Sequence, residues 1–143
     1  MRIVIDASVV VKWLFPDSEA EENTEEALEL LAAIRAGTLE LLQPPHWLAE
    51  VAAVVTRLRP ASADAGLDLL AAMEFPIADD LATLKRASRI ARDLNHHLFD
   101  TLYHAVALEH GGTLVSADGR YVRKAQPMGR IVALANWQRI LPA

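Results

Sequence analysis

The sequence contains no cysteine. That excludes a disulfide framework and any chemistry needing a thiolate nucleophile or thiolate metal ligand. It also suits a reducing, cytoplasmic setting. No run approaches the ~18 uncharged apolar residues of a membrane span, so no membrane partner is expected. The opening MRIVIDASVVVKW is apolar, but Asp6 and Lys12 interrupt it, which does not fit a signal peptide. Aromatic residues are sparse, at 6%. Trp13, Trp137, Met73 and Phe75 read as core, and the tryptophans need no cofactor to explain them. A surplus of positive charge is also missing. The net charge of -5 argues against simple electrostatic adhesion to nucleic acid.

Of the 143 residues, 52% are hydrophobic. That length and content predict a single domain over residues 1–143 with a real core. Charge is uneven along it. Residues 1–84 hold 5 Lys/Arg and 15 Asp/Glu, a balance of -10, and residues 85–143 hold 9 and 4, a balance of +5. The plain reading of most of these charges is solvated helix faces.

Arg2 to Ile5 reads as a central strand. Ser8 to Phe15 reads as a helix stopped by Pro16. Glu19 to Ala36 reads as a longer helix ended by Gly37, with Asn23 and Thr24 as cap candidates and Ala27, Leu28, Leu30, Leu31 and Ile34 as its apolar stripe. Leu39 to Leu42 reads as a second strand. Pro44 and Pro45 introduce a helix from about His46 to Leu58. Ser62 is expected to cap a helix to about Met73, and Asp79 or Asp80 another to about Asn95. Phe75 to Ala78 is extended. Leu98 to His110 reads as a helix, Thr113 to Ser116 as a strand, Asp118-Gly119 as a turn and Ile131 to Leu134 as a late strand. The alternation predicts a three-layer α/β/α sandwich around a mostly parallel sheet.

In such sheets, sites form at the carboxyl ends of strands. Asp6 and Asp118 stand at two such ends. Glu50, in HWLAEVAAVV, falls at the edge of a stripe made by Trp47, Val51, Val54 and Leu58. Asp100 lies in the first turn of its helix. Each has an ordinary alternative: Asp6 as a helix cap, Glu50 as a solvated flank, Asp100 as a partner for the helix dipole, Asp118 as a turn residue. If the four converge they cannot coexist as bare anions, because two charges ~4 Å apart repel by roughly 4 kcal/mol at an effective dielectric of 20. Either some are protonated or a cation sits between them.

An all-oxygen set without cysteine suits Mg²⁺ or Mn²⁺ better than Zn²⁺. Hydroxyls at Ser8 and Ser116 stand beside two of the acids, to orient carboxylates or water, or simply as cap and turn hydroxyls. Clustered carboxylates with a hard cation suit phosphoryl transfer to water. The basic tail, through Arg120, Arg123, Lys124 and Arg130, is placed to offset a phosphodiester's charge without reading bases.

The segments VIDASVVVKWLFP, PPHWLAEVAAVV, LFDTLYHAVALEHGGTLVSAD and IVAL carry a family resemblance. The ordered set is D-A-S after the first strand, a Glu in the helix after Pro-Pro, D-x-x-Y-x-x-x-A, and a strand leading into S-A-D. Over essentially the whole chain the sequence resembles PIN domains, and within them VapC-type toxins of toxin–antitoxin pairs. The resemblance implies a Mg²⁺- or Mn²⁺-dependent endoribonuclease. It places the family's acids on Asp6, Glu50, Asp100 and Asp118, with Ser8 and Ser116 at its hydroxyl positions. In the mechanism it implies, Asp6, Asp100 and Asp118 hold metal, and Glu50 helps bind it or orients the attacking water. It also implies a homodimer, an RNA substrate and a cognate antitoxin protein.

The chain departs from that pattern at His96, His97 and His104, where apolar residues, Thr or Tyr are commoner. Packing or surface roles are the plain reading. A metallohydrolase built on these histidines is one alternative, and a non-catalytic PIN-like binding module is another. A receiver-like phosphoacceptor fits poorly, since Ala7 rather than a second acid follows Asp6 and no late strand ends in Lys.

Overall fold

Residues 1–18 and 21–142 are described by a computed structural model. The strands β1 (Arg2–Ile5), β2 (Glu40–Leu41), β3 (Thr113–Ser116) and β4 (Ile131–Ala133) lie parallel in the order β2-β1-β3-β4. Ile3, Val4 and Ile5 are fully buried, as a central strand covered on both faces requires. The helices are α1 (Ala7–Leu14), α2 (Thr24–Arg35), α3 (Trp47–Leu58), α4 (Ala63–Ala71), α5 (Leu81–Leu94), α6 (Leu98–Glu109) and α7 (Gly119–Ala125). The α5–α6 pair covers β1 and β3 through α6, while α1 packs against α2 and α3. The result is the expected α/β sandwich.

Local chemistry sets the element ends. Asp6 caps α1 by accepting from the Ser8 N–H at 3.0 Å, and Asp80 caps α5 through the Thr83 N–H at 3.0 Å. Asn95 ends α5 in the left-handed conformation, which asparagine tolerates, and the His96 N–H reaches back to the Ala91 carbonyl at 3.0 Å. That sharp end delivers His96, His97 and the start of α6 to the same edge of the sheet.

Several expectations shift. The second helix begins at Thr24 rather than Glu19, with Asn23 preceding it, and Glu19 lies outside the described residues. The second strand is Glu40–Leu41 rather than Leu39–Leu42, and beyond it Gln43 forms an isolated bridge with Ile77. Along α3 the buried positions are Trp47, Val51 and Val55, while Leu58 is exposed. Asp118-Gly119 is not a bare turn but the start of α7, and a 3₁₀ stretch at Leu134–Ile140 follows β4. Trp13 and Trp137 are buried as expected, with Met73 and Phe75 packed against the core.

The least anticipated feature is Gln43. It is fully buried, its Oε1 accepts from the Ile5 N–H at 2.9 Å, and its Nε2 donates to the Ile5 carbonyl at 2.8 Å. The side-chain amide thus continues the ladder where β2 stops, and fixes the residue just before Asp6. Replacing Gln43 with Leu should strand two buried backbone groups, at about 1–3 kcal/mol each. Urea unfolding of Gln43→Leu is therefore expected to show a loss of roughly 2–4 kcal/mol; a loss within the few tenths typical of surface changes would contradict this role.

Candidate active site

Asp6 stands one residue beyond β1, its N–H donating to the Val115 carbonyl at 3.1 Å. Glu50 comes from the first turn of α3 and Asp100 from the first turn of α6. Asp100 and Glu50 lie near enough for their charges to bear on Asp6. Burial is the largest influence on Asp6 and, with the charges of Asp100 and Glu50, raises its pKa from 3.8 to about 6 against the opposing hydrogen bonds from Ser8. Burial also pushes Glu50 up, but hydrogen bonding to His46 and Tyr103 and the charge on His46 outweigh it, so the net shift is downward. The Tyr103 hydroxyl is buried beside Glu50 without a well-aligned hydrogen bond. Burial first, then the charges of Glu50, Asp6 and Asp100, hold it protonated.

Asp118 is held at the start of α7. Its Oδ1 accepts from the N–H groups of Arg120, at 3.1 Å, and Tyr121, at 3.3 Å, capping α7. Asp100 and Glu50, not Asp118, are the acids acting on Asp6. The two serines tie this rim together. Ser8 Oγ accepts from the Ala117 N–H at 3.1 Å, and Ser116 Oγ from the Asp118 N–H at 3.0 Å. The start of α1 is thereby pinned to the exit of β3.

Two members of the acid trio, Glu50 and Asp100, each have a histidine beside them. His46 Nε2 lies 3.2 Å from Glu50 and 2.8 Å from the Phe99 carbonyl. His96 Nε2 donates to Asp100 Oδ2 at 2.8 Å, which leaves Nδ1 to accept from Lys124 Nζ at 3.3 Å. Lys124 also donates to the Asn95 carbonyl at 3.1 Å. Next to Asp100, the buried Thr101 shares its hydroxyl between the Ala87 and Leu98 carbonyls at 2.9 and 3.0 Å, locking α6 onto α5.

The three histidines of the sequence reading separate here. His96 orients an acid. His97 is exposed and makes no cap bond. His104 is buried, with Nε2 donating to the Gly129 carbonyl at 2.7 Å and Nδ1 accepting from Tyr121 at 3.1 Å. Burial lowers its pKa and keeps it neutral. Both of its nitrogens are spent on packing, so the histidines do not assemble into a metal centre.

Among the basic residues, Arg120 and Lys124 line a cavity of about 290 Å³ with Asn95, His96 and His97. Arg123 lies on the same helix, exposed, its guanidinium near Gly119. Arg130 does not join them. It donates to the Gly112 carbonyl at 3.4 Å, just before β3 begins, at the opposite end of the sheet from Asp118. Sequence reasoning missed His46, although its spacing of four residues from Glu50 on one helix was a usable signal.

Among the described residues, no three His or carboxylate side chains stand at ligating distance from one another. At Asp6, however, no cation among the described residues offsets the neighbouring negative charge. Only acids raise Asp6 by charge, and the fields of Asp6 and Asp100 also help keep Tyr121 protonated, after burial. Such a set of oxygens fits a hard divalent cation.

A PIN domain family model matches residues 3–127. The chain matches no curated protein sequence. Solved structures that share its fold include the following two. One is PAE2754 from Pyrobaculum aerophilum, 17% identical, with 96% of this chain and 92% of that one covered and a TM-score of 0.66. The other is VapBC2 from Rickettsia felis, crystallised bound to a DNA fragment from their promoter: 15% identical, 93% and 97% covered, TM-score 0.62. With the family model spanning all of the strands but the last, and the acids of that pattern set on one edge of the sheet, this chain belongs to the PIN-domain family.

Proposed function

We propose that this protein is a divalent-metal-dependent endoribonuclease and the toxin of a VapBC-type toxin–antitoxin pair. The observation that carries the reading is the meeting of Asp6, Glu50 and Asp100 beside a cationic cavity. PIN domains are generally nucleases, and the likeness to VapBC2 supports the toxin assignment and a cognate antitoxin as partner. RNA as the substrate, Mg²⁺ or Mn²⁺ as the ion, a homodimer and a cytoplasmic location belong to the same proposal.

Asp6, Asp100 and Glu50 would hold the cation, with Asp118 at the rim. A bound divalent ion supplies neutralising charge for the phosphodiester and a lower pKa for water. The chain's own residues do the rest. Glu50, held ionised by His46, accepts a hydrogen bond from the attacking water and orients it. His96 holds Asp100 in one rotamer through its 2.8 Å bond. Arg120, Arg123 and Lys124 take the RNA backbone phosphates. Water oxygen bonds to phosphorus and releases a proton to solvent, the bond to the leaving oxygen breaks, and that oxygen takes a proton from solvent.

The decisive assay incubates wild-type and Asp100→Asn protein with a mixed structured RNA pool in Mg²⁺, Mn²⁺, Zn²⁺ or EDTA, with cut sites mapped by sequencing. Discrete cuts by wild type in Mg²⁺ or Mn²⁺ are expected. Asp100→Asn should lose more than about 100-fold, since even outer partners of metal ligands cost ~10–100-fold. Equal cutting by the two proteins would sink the assignment.

A second expectation concerns pH. An acid whose folded pKa is raised destabilises the fold as pH climbs from its unfolded to its folded value. For Asp6 that window runs from 3.8 to about 6. In EDTA above pH 7, Asp6→Asn should therefore be more stable than wild type, by up to about 3 kcal/mol, and the gap should close below pH 4. Mg²⁺ should raise the melting temperature of wild type and not of Asp6→Asn. Thermal melts across pH, with and without Mg²⁺, check both; a wild type as stable as Asp6→Asn at pH 8 in EDTA would refute the buried-charge account.

A further inference from the structure

Two chemically unlike cavities border the neighbours of Asp100. One is lined by His96, which bonds Asp100, with His97, Arg120 and Lys124. At the other, Phe99 is 60% exposed, and with His46, Ala49, Ala53 and the edge of Glu50 it borders a cavity of about 220 Å³. Phe99 is the residue immediately before Asp100. Its carbonyl is fixed by His46 Nε2 at 2.8 Å, and the two rings lie 5.3 Å apart at 32°. An exposed apolar residue by itself needs no explanation. This one is an aromatic face held in place, continuous with two alanines, and touching the acid cluster.

We propose that Phe99, with His46, Ala49 and Ala53, forms a stacking shelf for one unpaired nucleobase next to the scissile phosphate. The proposal rests on the ribonuclease reading and names the conformation of RNA the site accepts. The shelf carries no Lys or Arg, so it suits a base and not a phosphate. The cavity at His96 is lined by cations, so it suits the backbone and not a base. A strand crossing the acids from one to the other must present an unstacked base, which selects single-stranded RNA over a duplex. The shelf alone is far smaller than the ~800 Å² per partner that a stable interface between copies takes.

The test uses Asp100→Asn protein in Mg²⁺ with short single-stranded RNAs, each carrying 2-aminopurine at one scanned position. Binding is read by anisotropy, and stacking by quenching of the 2-aminopurine. Quenching at one position is expected. Phe99→Ala should abolish it and raise Kd by about 5- to 150-fold. Phe99→Trp should keep both, and Phe99→Leu, which restores bulk without a π face, should not. An abasic nucleotide at the quenched position should weaken binding to the Phe99 protein and leave Phe99→Ala unaffected. Unchanged Kd in Phe99→Ala, or full rescue by Leu, overturns the shelf while leaving cleavage by wild type intact. A shift from dimer to monomer in Phe99→Ala by light scattering also overturns it, by giving the face to a second copy. If folded protein neither binds nor cuts RNA, the ribonuclease reading falls with it.

Discussion

The repulsion among Asp6, Glu50 and Asp100 is the constraint around which the rest of this edge is arranged. A pKa of about 6 at Asp6 means that burial and neighbouring charge oppose ionisation at neutral pH. A fold selected for stability alone would carry an apolar residue at the end of β1. The molecule instead spends several specific contacts on keeping a carboxylate there. The Asp6 N–H continues the ladder to Val115, the Gln43 amide grips Ile5, and Ser8 ties α1 to Ala117. These contacts fix the backbone on both sides of the charge, so repulsion cannot relax by moving the strand.

The supporting groups share a pattern. His46 and His96 attach to Glu50 and Asp100, and neither lies among the charges acting on Asp6. Lys124, itself held by the Asn95 carbonyl, holds His96 in turn. Donors therefore steer individual oxygens while the centre of the cluster stays negative. That division lets the site be rigid and still attract a cation. A Lys or Arg reaching into the trio would relieve the repulsion and remove the attraction together.

Much of this was legible in the sequence, and the misses have physical reasons. The central strands are continuous apolar runs, and Asp6 sits where the first one ends, so β1 and β3 could be read directly, whereas Glu50 and Asp100 lie in the first turns of helices and showed only that they could border the same edge. Gln43 could not, because its meaning depends on Ile5, 38 positions away. His104 shares a helix side with Asp100 by spacing, yet residues 101–107 of α6 are all buried, so periodicity gave no face to assign. Asp-Gly signals a turn and a helix start equally, which hid α7. Arg130 seemed near Arg120 only along the chain. Because β4 runs parallel to β3, the residue before it lies at the far end of the sheet.

The uneven charge of the chain acquires a spatial sense once the elements are placed. Asp6 and Glu50 come from the acidic stretch, and Arg120, Arg123 and Lys124 from the basic one. Asp100, an acid in the basic stretch, sits at the seam where His96 joins the two. A net charge of -5 is then no obstacle to a polyanionic substrate. Screening confines each charge to roughly 8–10 Å in physiological salt, so a polyanion at this edge would respond to the local cavity and not to the acidic residues of α2. The same screening leaves the acid trio exposed to phosphate repulsion at close range. On the proposed reading, a neutralising ion would serve the approach of a phosphodiester as much as the reaction itself.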